Sequence, residues 1–228
     1  MAPKNGEKLP QEELKAPTRN VYLHNHTLFG TTINATDLTS HLAKTYSDPD
    51  FVAEALQVAF AQCTPEKGEA ALTPTWTIRR GDFFSRAMDV VETATGASLA
   101  RWTLALLSTS ASELTFSSDS PHSSHPITVR PVGSSSMLQE RFVVDSAELA
   151  WKIERGANPF DVRYKLVRTA AGHAHVVARY AHPPGSMYRG GILSVDENEV
   201  DVVVALVTCC VMIKKRVQKD VETLGVAS

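Results

Sequence analysis

The chain is poor in most of the features that announce a function. Cysteine is scarce, with only Cys63, Cys209 and Cys210 in 228 residues. An odd set, two of them adjacent, excludes a disulfide framework. Charge of one sign is not in excess either: 23 Lys and Arg face 25 Asp and Glu, a net charge of -2. Nothing electrostatic therefore favours nucleic acid or an acidic polymer as the main partner. No serine-hydrolase elbow, phosphate loop, dinucleotide fingerprint or paired zinc motif occurs, so no motif argues for an enzyme or calls for a cofactor.

A secretory leader is also missing from this sequence. Residues 1–19, MAPKNGEKLPQEELKAPTR, hold no apolar run of signal-peptide length and mix Lys and Arg with Glu, which reads as a solvated tail. The sequons Asn25-His26-Thr27 and Asn34-Ala35-Thr36 are then chance matches, and the expected address is cytoplasmic and reducing. One long apolar run stands against this, Val202 to Ile213, followed by Lys214, Lys215 and Arg216. At about 1.5 Å per residue it reaches about 18 Å, short of a hydrocarbon core of about 30 Å. The run is read as a buried helix in preference to a membrane anchor.

What is present is organised by period. Within 36–63, SDPDFVAEALQVAFAQC offers Asp48 as N-cap and Pro49 as first helical residue, with Phe51, Val52, Ala55, Leu56 and Ala59 at helical spacing. Leu38, Leu42 and Tyr46 suggest a shorter helix before it, and Thr64 to Pro74 reads as a loop. Over 76–195 the period changes to two. Leu149, Trp151 and Ile153 alternate with polar or small residues, as do Phe160, Val162, Tyr164 and Leu166. Further strands are expected at Met88–Glu92, Leu99–Leu107, Glu113–Ser117, Ile127–Val132, Gln139–Asp145, His175–Tyr180 and Ile192–Val195, with turn residues between them. Such a meander closes into a barrel or a sandwich.

A weak repeat favours two equivalent hairpins. Val91-Glu92-Thr93-Ala94-Thr95-Gly96 leads to Ala100-Arg101-Trp102, and Val167-Arg168-Thr169-Ala170-Ala171-Gly172 leads to Ala178-Arg179-Tyr180. The period changes once more over 196–217. Ser194 with Glu197, or Asp196 with Glu199, fits a capping box, and Lys214, Lys215 and Arg216 suit a helix C-terminus. The stretch between is apolar on every side, which requires a helix surrounded by protein.

Asp89-Val90-Val91 with Thr95-Gly96 and Ala100-Arg101-Trp102 resembles the tubby C-terminal-like superfamily, which includes tubby, LURP-one-related and scramblase proteins. Phe142-Val143-Val144-Asp145 with Trp151-Lys152, Val177-Ala178-Arg179, and Asp201-Val202-Val203-Val204-Ala205 add to that likeness. The nearest group is of fungal proteins with an uncharacterised tubby-like domain. The likeness spans about Trp76 to Arg216 and leaves 36–63 as a helical insertion or a cap. It implies one mainly β domain over 20–228: a closed antiparallel β-barrel of ten to twelve strands around the hydrophobic C-terminal helix, plus N-terminal helices.

Candidate chemistry is sparse. His24-x-His26 and His173-x-His175 have a spacing compatible with metal, yet no third ligand is fixed, so no metal is expected. Cys209-Cys210 reads as buried packing, and Cys63 is the better thiol, though inert packing remains its default. Ser117 to Ser124 and Ser134 to Ser136 read as loops, with Ser120-Pro121 suited to a proline-directed kinase. Lys214, Lys215, Arg216 and Lys219 form the one basic cluster; helix-dipole complementation explains it, and anionic-lipid binding is the functional reading. The resemblance adds a phosphoinositide or anionic membrane surface as partner class, with Arg79, Arg80, Arg101 and Arg179 as contributors. A protein partner is the other class. The expectation is thus a non-enzymatic intracellular binding module, peripheral at membranes if the lipid reading holds. Its rival is a lipocalin-like barrel with the helix outside, in which Trp76, Trp102, Trp151 and Phe160 line a pocket for a small hydrophobic metabolite.

Overall fold

In the computed structural model, twelve strands close into one antiparallel barrel in which every sequence neighbour is also a spatial neighbour. Described are residues 17–24, 31–64, 71–81, 86–103, 107–132, 139–155, 162–170, 172–183 and 190–223. The strands are β1 (Arg19–His24), β2 (Thr32–Asp37), β3 (Trp76–Arg80), β4 (Ala87–Glu92), β5 (Ser98–Thr103) and β6 (Ser112–Phe116). They continue with β7 (Ile127–Val132), β8 (Gln139–Val144), β9 (Ala147–Arg155), β10 (Val162–Ala170), β11 (His173–Ala181) and β12 (Gly191–Val195). β1 pairs with β12 from Arg19↔Val195 to Leu23↔Gly191, and that last ladder removes the sheet edges.

The helix α2 (Val202–Thr223) fills the barrel. Val204 to Ile213 are all buried, in one cluster with inward residues of the wall such as Ile78, Trp102, Leu114, Trp151, Leu166 and Leu193. The all-round apolar sequence is thereby explained: each side of the helix meets a different strand. A lipocalin-like arrangement with the helix outside is not what forms. Trp151, expected there to line a pocket, instead donates from Nε1 to Thr208 Oγ1 of α2 at 3.1 Å. Phe160 lies outside the described residues.

Several boundaries differ from the sequence reading, each for a local reason. β1 lies in a segment that carries no period-two signal, because Val21, Tyr22 and Leu23 are buried on both faces, and β2 (TINATD) alternates only through the two apolar residues Ile33 and Ala35. Tyr22 packs outward under the helix α1 (Phe51–Cys63), so the alternation is lost. Arg19, assigned to the tail, starts β1. The helix expected around Leu38 to Tyr46 is a single 3₁₀ turn at Thr39–His41, after which the apolar side chains dock individually on α1. Asp48 does not cap α1: its Oδ2 accepts from Thr45 N at 2.7 Å, closing a turn one step earlier. α1 caps no barrel mouth. It lies on the outer wall, with Phe51, Ala55 and Ala59 against Tyr22 and Ile192.

α2 also begins later than expected. Ser194 belongs to β12, where its Oγ donates to Asn20 Oδ1 at 2.8 Å, and residues 196–200 form turns. The cap is Asp201, whose Oδ1 accepts from Val203 N at 2.8 Å and Val204 N at 3.1 Å. The helix then continues past 217 to Thr223, so Lys214, Lys215 and Arg216 stand well inside it. β5 is described to Thr103, and residues 104–106 of the strand expected to reach Leu107 lie outside the described residues. Asp145 leaves β8 for a tight turn with Ser146, both at positive φ (47° and 63°).

The repeat is real in geometry. The β4–β5 and β10–β11 hairpins each carry a register shift at the start of the motif, between Val90 and Val91 and between Leu166 and Val167. Each turns through a glycine at positive φ, Gly96 (73°) and Gly172 (81°). Each ends with an outward arginine beside a buried aromatic, Arg101 with Trp102 and Arg179 with Tyr180.

Candidate functional site

The basic cluster picked out in the sequence does not form a surface. Lys214 and Lys215 are each only 3% exposed. Lys215 Nζ donates to Glu140 Oε2 of β8 at 2.8 Å in the barrel interior. Burial holds the Glu140 carboxyl above its ordinary range and the Lys215 amine below its own, each opposed by the attraction of the other. Burial brings Lys214 down to about 8, with the nearby Cys210 opposing the shift and Arg80 adding to it. Arg216 is half-buried with Asp220 Oδ1 at 3.9 Å, and Lys219 is half-buried on the same last turns. The expected anionic-lipid cluster is corrected accordingly: two of its four cations face the core, because the helix runs through the barrel and does not end at residue 217.

The other candidates are also resolved by packing. Cys209 and Cys210 are fully buried and burial pushes both thiols up, Cys210 to about 12, which keeps them protonated and inert. Burial likewise raises Cys63, partly offset by its hydrogen bond with Thr36. His24 stacks on Tyr22 with ring centroids 5.7 Å apart, and burial lowers its pKa. His26 lies outside the described residues, as do Ser134 to Ser136. His175 Nε2 sits 3.0 Å from Glu199 Oε2, which also accepts from Arg168 at 2.8 Å, so it serves the strap between β12 and α2. The hydrogen bond from His175, followed by that from Arg168, holds the Glu199 carboxyl below its ordinary range. Among the described residues no trio of His, Cys, Asp or Glu is placed to hold a metal. No described helix is long and apolar enough to cross a membrane.

The register assembles a basic face that the sequence keeps scattered. Arg130 of β7 is the direct partner of Arg141 of β8. Lys152 of β9 is opposite Lys165 of β10, which is opposite Arg179 of β11. Arg163 stands two residues below Lys165 on the same side. All six alternate with buried residues such as Val129, Phe142, Trp151, Leu166 and Tyr180, so all six point outward. The outward positions of these strands carry two carboxylates among the described residues. Glu148 lies 3.4 Å from Arg141, and Glu154 lies 3.3 Å from Arg179, which also donates to Tyr46 Oη at 3.1 Å. Like charges directly opposed in a sheet are destabilising, so these pairs are not there to hold the barrel together. Among the described residues neither Arg130 nor Lys152 forms an ion pair.

At the β7–β8 edge of this face the wall is grooved. A cavity of about 430 Å³ is bordered by His125, Thr128, Arg130, Arg141, Phe142 and Val143. Val132 and Val143 leave 38% and 56% of their surface exposed beside it. Compared with known protein families, with curated proteins and with solved structures, the chain matches none.

Proposed function

We infer that this chain is a non-enzymatic binding module that docks the β7–β11 face of its barrel on an anionic membrane surface. The observation that carries the reading is the cross-strand pair Lys152 and Lys165 with Arg163 on the same side, continued by Arg130 and Arg141, on a chain whose net charge is -2. Cations concentrated on one face of a slightly acidic protein give it an oriented field, which attracts an anionic surface to that side. Lipid phosphates lying over the face supply counter-charge to Arg130 and Lys152. The exposed Val132 and Val143 add apolar contact at the same level. The tubby-like resemblance suggests phosphoinositides as the lipid, and an intracellular, peripheral location accompanies that reading. With α2 along the axis, the ligand binds outside the wall.

Vesicle co-sedimentation tests it, with phosphatidylcholine vesicles against vesicles carrying phosphatidylserine or phosphoinositide, at low and high salt. A cation near such a surface contributes about 1 kcal/mol, so Lys152→Ala/Lys165→Ala is expected to weaken binding roughly 30-fold. Equal binding to neutral and anionic vesicles, or an unaffected variant, would overturn the reading.

A further inference from the structure

The ladder between β7 and β8 is incomplete, and this makes a second kind of surface. It consists of Arg130↔Arg141, Pro131↔Glu140 and Val132↔Gln139 only. Towards the other end, 127–129 of β7 pair solely with 112–114 of β6. Correspondingly, 142–144 of β8 pair solely with 147–149 of β9. The two strands splay where Thr128 and Val143 would otherwise be opposite. Phe142, whose side chain belongs to the core, borders the external groove there, as expected if the wall is open at this point.

An antiparallel strand directs the N–H and C=O of alternate residues to alternate neighbours. In each triplet at least one residue therefore aims both groups into the gap, and no ladder takes them up. That is an open strand edge inside a closed barrel, the kind of edge that accepts an added strand. What flanks the edge selects the occupant. Arg130 and Arg141 face each other at the closed end of the splay, and Val143 is exposed along it. A side chain reaching between two guanidiniums must be anionic, and one lying on Val143 must be apolar.

We propose that the β7–β8 splay is a docking site for an extended acidic segment of a protein partner, added as a short strand against 142–144 with a carboxylate held between Arg130 and Arg141. This site shares Arg130, Arg141 and Val143 with the membrane-docking face, and it depends on the ladder gap and not on Lys152 or Lys165.

The test uses the full chain and a fluorescein-labelled hexapeptide of threonines in which one valine and one glutamate stand two residues apart, on one face of the extended strand, read by fluorescence anisotropy. Controls are the same peptide N-methylated at alternate backbone nitrogens, and a version with lysine in place of glutamate. Saturable binding is expected. Arg130→Ala and Arg141→Ala should each weaken it about tenfold, the scale of one charge-assisted hydrogen bond. N-methylation should weaken it at least as much, and Lys152→Ala/Lys165→Ala should leave it within about twofold. Both arginines are on the surface, and circular dichroism checks that the variants keep their fold. Hydrogen exchange should slow at 142–144 on binding. Equal affinity for the N-methylated peptide would show charge attraction without strand addition and overturn the proposal. So would no saturation at millimolar peptide, or a loss in the Lys152/Lys165 variant as large as in the arginine variants. Concentration-dependent dimers that protect 142–144 would assign the edge to a second copy and overturn it too.

Discussion

Glu140 and Trp151 are direct cross-strand partners in the β8–β9 ladder, and both point inward to the same face of α2. The indole of Trp151 donates to Thr208, and Glu140 accepts from Lys215. Thr208 and Lys215 are seven residues apart, two helical turns or about 10.5 Å along the axis. The lysine stem leans back toward the helix N-terminus, which narrows that spacing. An apolar helix in an apolar tube has many nearly equivalent rotations and heights. Two polar contacts from one pair of wall residues select one of each, a use of buried polar groups well attested for helix register.

Removing one partner of the buried pair should cost far more than removing both. Lys215→Met leaves Glu140 buried without its cation, with an expected loss of about 3–5 kcal/mol. Lys215→Met/Glu140→Leu should recover most of it. Urea denaturation of both variants measures the difference, and equal losses would show that the pair does not act as a unit.

Lys214 predicts a pH dependence with a definite sign. Its amine titrates near 8 in the folded protein, against 10.5 for a free lysine side chain. Between these values this amine holds more protons in the unfolded chain, so its own contribution to stability rises with pH. From about pH 8 to 10 Cys63, Cys209 and Cys210, whose thiols burial pushes up, contribute with the opposite sign because cysteine titrates there in the unfolded chain. The Lys214 contribution is therefore read as the difference between the protein and its Lys214→Met variant. Tyr22 and Tyr164, raised by burial to about 12, act in the same sense as the cysteines above that range. The stability difference between the protein and Lys214→Met should shift with pH in favour of the protein across that window, as thermal melts of both will show.

The start of α2 depends on one side chain. Asp201→Ala removes the acceptor for Val203 N and Val204 N and should cost about 1 kcal/mol. Asp201→Asn keeps the acceptor and should cost less, as chemical denaturation can compare.

Gly191 has no room for a side chain. A Cβ there would lie 2.5 Å from the Ala181 carbonyl oxygen and 2.6 Å from the Tyr180 ring, at the strand that closes the barrel. Gly191→Ala should destabilise by about 1–3 kcal/mol through forced displacement of that backbone, seen as a lowered Tm. Gly96→Ala, with open space at its Cβ position, meets only the cost of positive φ, about 1–2 kcal/mol.

Most of the barrel was legible in the sequence, because a strand with one wet and one buried face writes its geometry as alternation. Nine expected strands, from Met88–Glu92 to Ile192–Val195, coincide with β4 to β12 within a few residues. β1 was not legible, because α1 covers the outer side of Tyr22 and burial on both faces erases the period, and β2 was not, because its alternation rests on Ile33 and Ala35 alone. The candidate site was less legible still. Arg130, Arg141, Lys152, Lys165 and Arg179 lie on five different strands, with nothing local to join them.

The sequence by itself determined that a meander of short strands ends in a helix apolar on all sides, and that such a helix must be enclosed. Alternation, turn residues and apolar runs are properties of neighbours along the chain, so they survive in one dimension. Only the tertiary structure decided which lysines face water. Lys214 and Lys215 look like a basic surface by adjacency, and the extension of α2 through the barrel buries them. The outward cations are far apart in sequence, and cross-strand register sets their distances, which no local pattern encodes.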